Sequence, residues 1–393
     1  MTLKILLLSG ALACSALAGD PRIALDSEFP DPDGATWFSG ELTLVEHVNR
    51  RGILRLDRDG TINKYFWDLP HHFQMLPYGS VFYRGAPAEL KDIPIGTHLH
   101  GQFYLGPEGE FEVTPPVSNY AAGKMANPDL RSVESQFSRV LSLEDDFSFY
   151  QRQGASWKIT AIADDLGEIS VELIGIESEA TQKVFRIDRG ARIWKGREIG
   201  SLEDLELGQT VQLNLGWVSL LGSHKQDGIC RDVWIDEESR AVATEQQRQI
   251  HLAQSRRLGV PAMVIETESM PGEGARGHAT VQICAGVDQQ LLDEFEENGG
   301  AFVFPVEPSL RSYGYSQPSG NFEISKIENP QPGSSGVQIR MHFYEMLEGF
   351  RAGRAVRITG RAWPKLGRPR EEILNPNDLR IFEVGPKPVV DRE

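Results

Sequence analysis

Two histidines stand two residues apart in "LKDIPIGTHLHG", His98 and His100. On a strand such a pair shares one face, and two imidazoles on one face grip a borderline cation when a third ligand arrives from elsewhere. "LPHHF" supplies His71 and His72 as sequence-local partners for a zinc or copper ion. The competing expectation involves no cofactor. It places His98 and His100 on the exposed or groove-facing side of a strand, solvated or hydrogen-bonded, with Leu99 buried.

A second candidate is Glu144-Asp145-Asp146, followed by Phe147-Ser148-Phe149-Tyr150. Three adjacent acids are not expected to be buried together, so some should face solvent and could bind Ca²⁺ or a basic group. The simpler expectation is a solvated acidic turn leading into an edge strand. "RSYGYSQPSGNF" adds Tyr313 and Tyr315, which with Tyr65, Phe66 and Trp67 suit the wall of a glycan or peptide groove. Core packing is the competing use for those rings.

The sequence has no G-x-S-x-G elbow, no H-E-x-x-H, no Walker loop and no G-x-G-x-x-G opening a βαβ unit. Gly333-Ser334-Ser335-Gly336 lacks the strand-to-helix context of a nucleophile elbow and reads as a loop. Asp57-Arg58-Asp59-Gly60 resembles the start of a calcium loop, yet Ile62 stands where such a loop needs glycine, so it reads as a turn.

These residues must be positioned by short strands. Leu90 to His100 recurs at Leu202 to Gln212 and, more weakly, at Leu347 to Arg357, in the form L-x-D/G-h-x-h-G-x-x-h with h apolar. The apolar residues anchor a turn, the glycine allows a positive φ, and alternation after it marks a half-buried strand. Turns at Asp57–Gly60 and Asp164–Gly167 punctuate further alternating runs. The fold class expected is mainly β: three tandem small antiparallel barrel or sandwich units with one connecting helix. The boundaries are a signal peptide at 1–18, unit one at 19–117, a linker with a short helix at 118–154 and unit two at 155–233. The connecting helix follows at 234–262, then unit three at 263–385 and a tail at 386–393.

That helix carries its own signals. Asp236 is the N-cap, Glu237 and Glu238 suit the positive end, Arg256 and Arg257 the negative end, and Gly259 and Pro261 the stop. Its apolar stripe is thin (Val242, Ile250, Ala253, Leu258), which places it along a surface between units two and three.

"MTLKILLLSGALACSALAGD" has a basic start, a short apolar run and an A-x-A site before Gly19, so the chain is expected to be exported, to the periplasm or beyond. Lipid anchoring at Cys14 is the alternative, against which Ala11-Leu12-Ala13 departs from the usual lipobox. No transmembrane segment follows. A formal charge of −16 repels nucleic acid and anionic membranes. It leaves an envelope protein or a glycan as the expected partner. Cys230 and Cys284 are either a disulfide that pins unit three against unit two or a pair of buried free thiols.

The motifs "LKDIPIGTHLHGQFY", "LEDDFSFYQRQG", "WKI" and "PGSSGVQ" resemble exported proteins of planctomycete-type bacteria built from tandem small, OB-like β-barrels. The resemblance spans most of the mature chain, implies no activity and supplies no catalytic residues. The function expected is a non-enzymatic exported binding or scaffolding protein of the cell envelope. The alternative is a metal-dependent or carbohydrate-active hydrolase using the histidines above or the acids near Glu144.

Overall fold

The structure is a computed structural model that describes residues 29, 34–47, 50–57, 70–104, 138–175, 181–216, 228–270, 276–298, 301–306 and 318–363. Residues 1–18 with Cys14, residues 105–137 with Asn127-Pro128, Tyr313, Tyr315 and the C-terminal tail lie outside these residues.

Unit one contains β1 (Thr36–Glu46), β2 (Arg51–Leu56), β3 (Pro70–Tyr83), β4 (Ala86–Ala88), β5 (His98–Tyr104) and β6 (Ser138–Asp145). Their order is β2-β1-β5-β6-β3-β4, and β2 also pairs with β3, which closes a five-stranded barrel with β4 as a flap on β3. Unit two repeats the plan with β7 (Ser156–Ala163), β8 (Glu168–Ile174), β9 (Gln182–Lys195), β10 (Glu198–Gly200), β11 (Thr210–Gly216) and β12 (Gly228–Trp234). Its order is β10-β9-β12-β11-β7-β8, closed by β8 on β9. Each barrel contains one parallel pairing, β3 with β6 and β9 with β12, among otherwise antiparallel ladders. This is OB-like connectivity. β6 belongs to unit one although the sequence places it in the linker at 118–154.

Unit three contains β13 (Val260–Ser269), β14 (Gly277–Cys284), β15 (Ala301–Pro305), β16 (Pro318–Lys326), β17 (Ser334–Phe343) and β18 (Ala355–Gly360). It forms one sheet, β15-β18-β13-β14-β17-β16, with no closing pair among the described residues.

The repeated anchors occupy equivalent points in all three units. Each is a short 3-10 turn, at Leu90–Asp92, Leu202–Asp204 and Glu348–Phe350. The glycine behind each has positive φ, at Gly96 (85°), Gly208 (82°) and Gly353 (85°). Those amides donate to Leu42, Ile159 and Val264 oxygens at 2.7, 2.8 and 2.7 Å, while Leu42, Ile159 and Val264 amides donate back to the residue after the glycine. The receiving strand carries a register shift at this point each time, at Leu42/Leu44, Ile159/Ala161 and Val264/Glu266. The motif therefore plugs the entry of a late strand into a bulge of the first strand.

Among the described residues there are three α-helices: α1 (Asp146–Arg152) between units one and two, α2 (Glu237–Leu258) between units two and three, and α3 (Gln289–Asn298) inside unit three, between β14 and β15. α2 has the expected ends. Asp236 accepts from the Ser239 amide at 2.6 Å, and Gly259 closes the helix at φ 83°. Its buried stripe differs from the sequence reading: Ser239, Ala243, Gln247, His251, Leu252 and Ser255 face inward, and Ile250 is exposed. α2 also touches all three units rather than two. Gln254 Nε2 donates to Asp92 Oδ1 (3.0 Å) in unit one and Arg240 Nη1 to the Thr210 oxygen (3.3 Å) in unit two. In unit three, Arg248 pairs with Asp288 and Arg256 with Glu294.

Candidate functional site

The antiparallel pairing of β5 with β6 sets Leu99 opposite Asp145 and His100 opposite Glu144, so the two candidate motifs are neighbours. The chain then turns from β6 into α1. Asp145 is the N-cap and Asp146 the first helical residue. All three acids are buried, at 4, 0 and 1% exposure for Glu144, Asp145 and Asp146, contrary to the expectation that some must face solvent. They fit because each has its own partners. Glu144 takes a bidentate pair of hydrogen bonds from Arg152, two turns along α1. Asp145 accepts from the Ser148 amide (2.9 Å), the Arg84 amide (3.0 Å) and Asn214 Nδ2 (2.7 Å). Asp146 accepts from the Leu215 amide through Oδ2 at 2.9 Å.

The other oxygen of Asp146 meets both histidines. Oδ1 lies 2.7 Å from His98 Nδ1 and 2.9 Å from His100 Nε2. His98 Nε2 lies 2.8 Å from Asp57 Oδ2, which also accepts from Ser39 Oγ at 2.6 Å. The His100 ring stacks on Phe149 at 3.8 Å and 7°. Leu99 points inward, fully buried, as β5 alternation requires. His98, however, is 8% exposed, because α1 lies over the outer face that the sequence leaves to solvent.

The electrostatics follow from this packing. Burial alone would lower the His98 pKa, but Asp146 and Asp57 outweigh it and hold His98 well above its ordinary 6.5. Burial likewise pushes against the charge on Asp146, and the two histidines overcome it, so its carboxyl is held well below the usual range. Asp145 has no such cation. Burial outweighs its hydrogen bonds and raises it to about 6.

The remaining candidates go elsewhere. His71 Nε2 lies 3.0 Å from Ser138 Oγ, and its ring packs edge-on against Phe103. The group that could hold a metal among the described residues is His98, His100 and Asp146, so the acid at the helix start, not His71 or His72, stands beside the strand histidines. Cys230 and Cys284 are free and buried, which corrects the bridged reading. Cys230 belongs to the unit-two core, whereas Cys284 packs with Leu76, Tyr78 and Met263 between units one and three. Burial raises the Cys284 thiol to about 12.

Two partners were missed in the sequence. Asp57 reads there as turn chemistry and Asn214 as the polar side of an alternating strand. Asn214 is 2% exposed and spans the seam: Oδ1 accepts from the Phe147 amide at 2.9 Å while Nδ2 donates to Asp145. A cleft of about 270 Å³ lies nearby between the units, lined by Glu41, Gly96, Gly216 and Arg231 among others, and the histidine cluster does not line it.

No protein-family model and no curated protein matches the chain. One matching solved structure is drosophila Unr CSD456, at 8% identity and a TM-score of 0.15, covering 63% of this chain and 82% of that one.

Proposed function

We propose that this chain is an exported, non-enzymatic binding or scaffolding protein of the cell envelope, in which three β units are held as one body. One observation carries the reading: α2 runs across all three units, with hydrogen bonds or ion pairs to Asp92, to Thr210 and to both Asp288 and Glu294. A second support is that the residues best suited to chemistry bond to one another beside the seam of units one and two, which Asp146 and Asp145 cross to the Leu215 amide and Asn214. The leader-like first eighteen residues and the formal charge of −16 support export and an envelope protein or glycan as partner, with nucleic acid disfavoured.

A second reading, a metal-dependent hydrolase, draws on the convergence of His98, His100 and Asp146 within 4.8 Å of one another. Fractionation of native cells, N-terminal sequencing and chemical cross-linking test the scaffold reading, and a hydrolysis panel distinguishes it from the second. The scaffold reading expects a chain beginning at Gly19 in the envelope fraction, cross-linked to a stoichiometric partner or to glycan. A full-length cytoplasmic chain, or hydrolysis of an ester, phosphoester or glycoside panel that His98→Ala abolishes, contradicts it.

A further inference from the structure

We infer that His98 Nδ1, His100 Nε2 and Asp146 Oδ1 form a three-ligand seat for one divalent transition-metal ion, zinc or copper, at the seam of units one and two. This inference goes beyond the scaffold reading and does not depend on it. The three atoms come from two segments far apart in sequence and lie within 4.8 Å of one another. Two imidazoles and one carboxylate suit zinc or copper. Ca²⁺ would demand six to eight oxygens, which this trio does not supply.

The arrangement outside the trio is that of a metal site. A ligating histidine usually donates its other ring N–H to a carboxylate, and His98 Nε2 faces Asp57 Oδ2 at 2.8 Å. The free oxygen of Asp146 is fixed by the Leu215 amide, and the Phe149 face fixes the plane of His100. Each ligand is thus oriented by a group that is not itself a ligand. The present contacts of 2.7 and 2.9 Å are proton-mediated. Tetrahedral ligands about 2.0–2.1 Å from a metal stand roughly 3.3 Å apart, so an ion would replace the intervening protons and lengthen the two contacts to Asp146 by about half an ångström. Binding would release the proton on His98 Nδ1 to solvent and free His100 Nε2 as a neutral imidazole nitrogen, its ring proton carried on Nδ1, and a water would complete the tetrahedron.

The probe is ZnCl₂ or CuCl₂ titrated into chelator-stripped full-length mature protein, read by competition with a chromophoric chelator and by thermal shift. One equivalent is expected, with a raised melting temperature. His100→Ala should lose at least tenfold in affinity, and Asp57→Asn should keep the stoichiometry but weaken binding about tenfold. His278 and His342, whose rings are 5.3 Å apart in unit three, provide the control, and His342→Ala should leave binding unchanged. If His100→Ala fails to fold, the wild-type copper complex decides by electron paramagnetic resonance, where coupling to two imidazole nitrogens is expected. The inference is overturned by no binding, by an equivalent lost in His342→Ala instead, or by a copper spectrum without two nitrogens.

Discussion

The Asp146 carboxylate is the residue on which the seam turns. It accepts from two histidines and from the Leu215 amide while 1% exposed. Removing one member of a buried ion pair leaves the other charge uncompensated, at a cost of about 3–5 kcal/mol. Asp146→Asn should therefore lower the urea midpoint strongly. Asp57→Asn should cost less than about 1 kcal/mol, because the Asp57 side chain is 41% exposed and its ion pair is screened. Equal losses from the two variants would contradict this ranking. His71 gives a separate acid signature. Burial, with His72 beside it, lowers His71 to about 4, so the folded chain keeps it neutral while the unfolded chain protonates near 6.5. That contribution to stability is complete above pH 6.5 and falls as pH drops toward 4, by up to about 1.4 kcal/mol per pH unit. Unfolding of wild type and His71→Gln between pH 7 and 4 checks it, and the variant should lose stability less steeply.

The elements explain what the sequence revealed and what it hid. The L-x-D/G-h-x-h-G-x-x-h anchor was legible because its cause is local: a turn, a positive φ and the strand that follows. Gly208 isolates that cause. A Cβ there meets nothing within 4 Å, so Gly208→Ala should cost only the left-handed backbone penalty of about 1 kcal/mol, and Gly208→Asn less. Thermal unfolding of the two variants tests it; an Asn as costly as Ala would contradict the backbone account. The ends of α2 were legible for the same local reason, since capping is read from neighbouring residues. Its buried face was not, because Gln247 and His251 are buried by what lies opposite, including Pro87 and Asp288. The acids at Glu144–Asp146 failed in the same way. Nothing near them in sequence announces His98, Asn214 or the Leu215 amide. β6 was lost in the linker because the fifth strand of a barrel need not follow its fourth closely.

Across the whole molecule, units one and two are joined by Asn214 and Asp146, and units one and three by another seam. There Leu76, Tyr78, Tyr104 and Leu141 of unit one pack on Met263 and Cys284, with Arg357 3.6 Å from Glu89. α2 spans the three units. The histidine–acid cluster, through Asp146 and the Leu215 amide, joins two barrels into one cooperative body. Hydrogen exchange by mass spectrometry on Asp146→Asn reads that coupling. The variant should lose protection in His98–Tyr104 and also, across the seam, in Thr210–Gly216. Loss confined to unit one, with Thr210–Gly216 exchanging as in wild type, would contradict it.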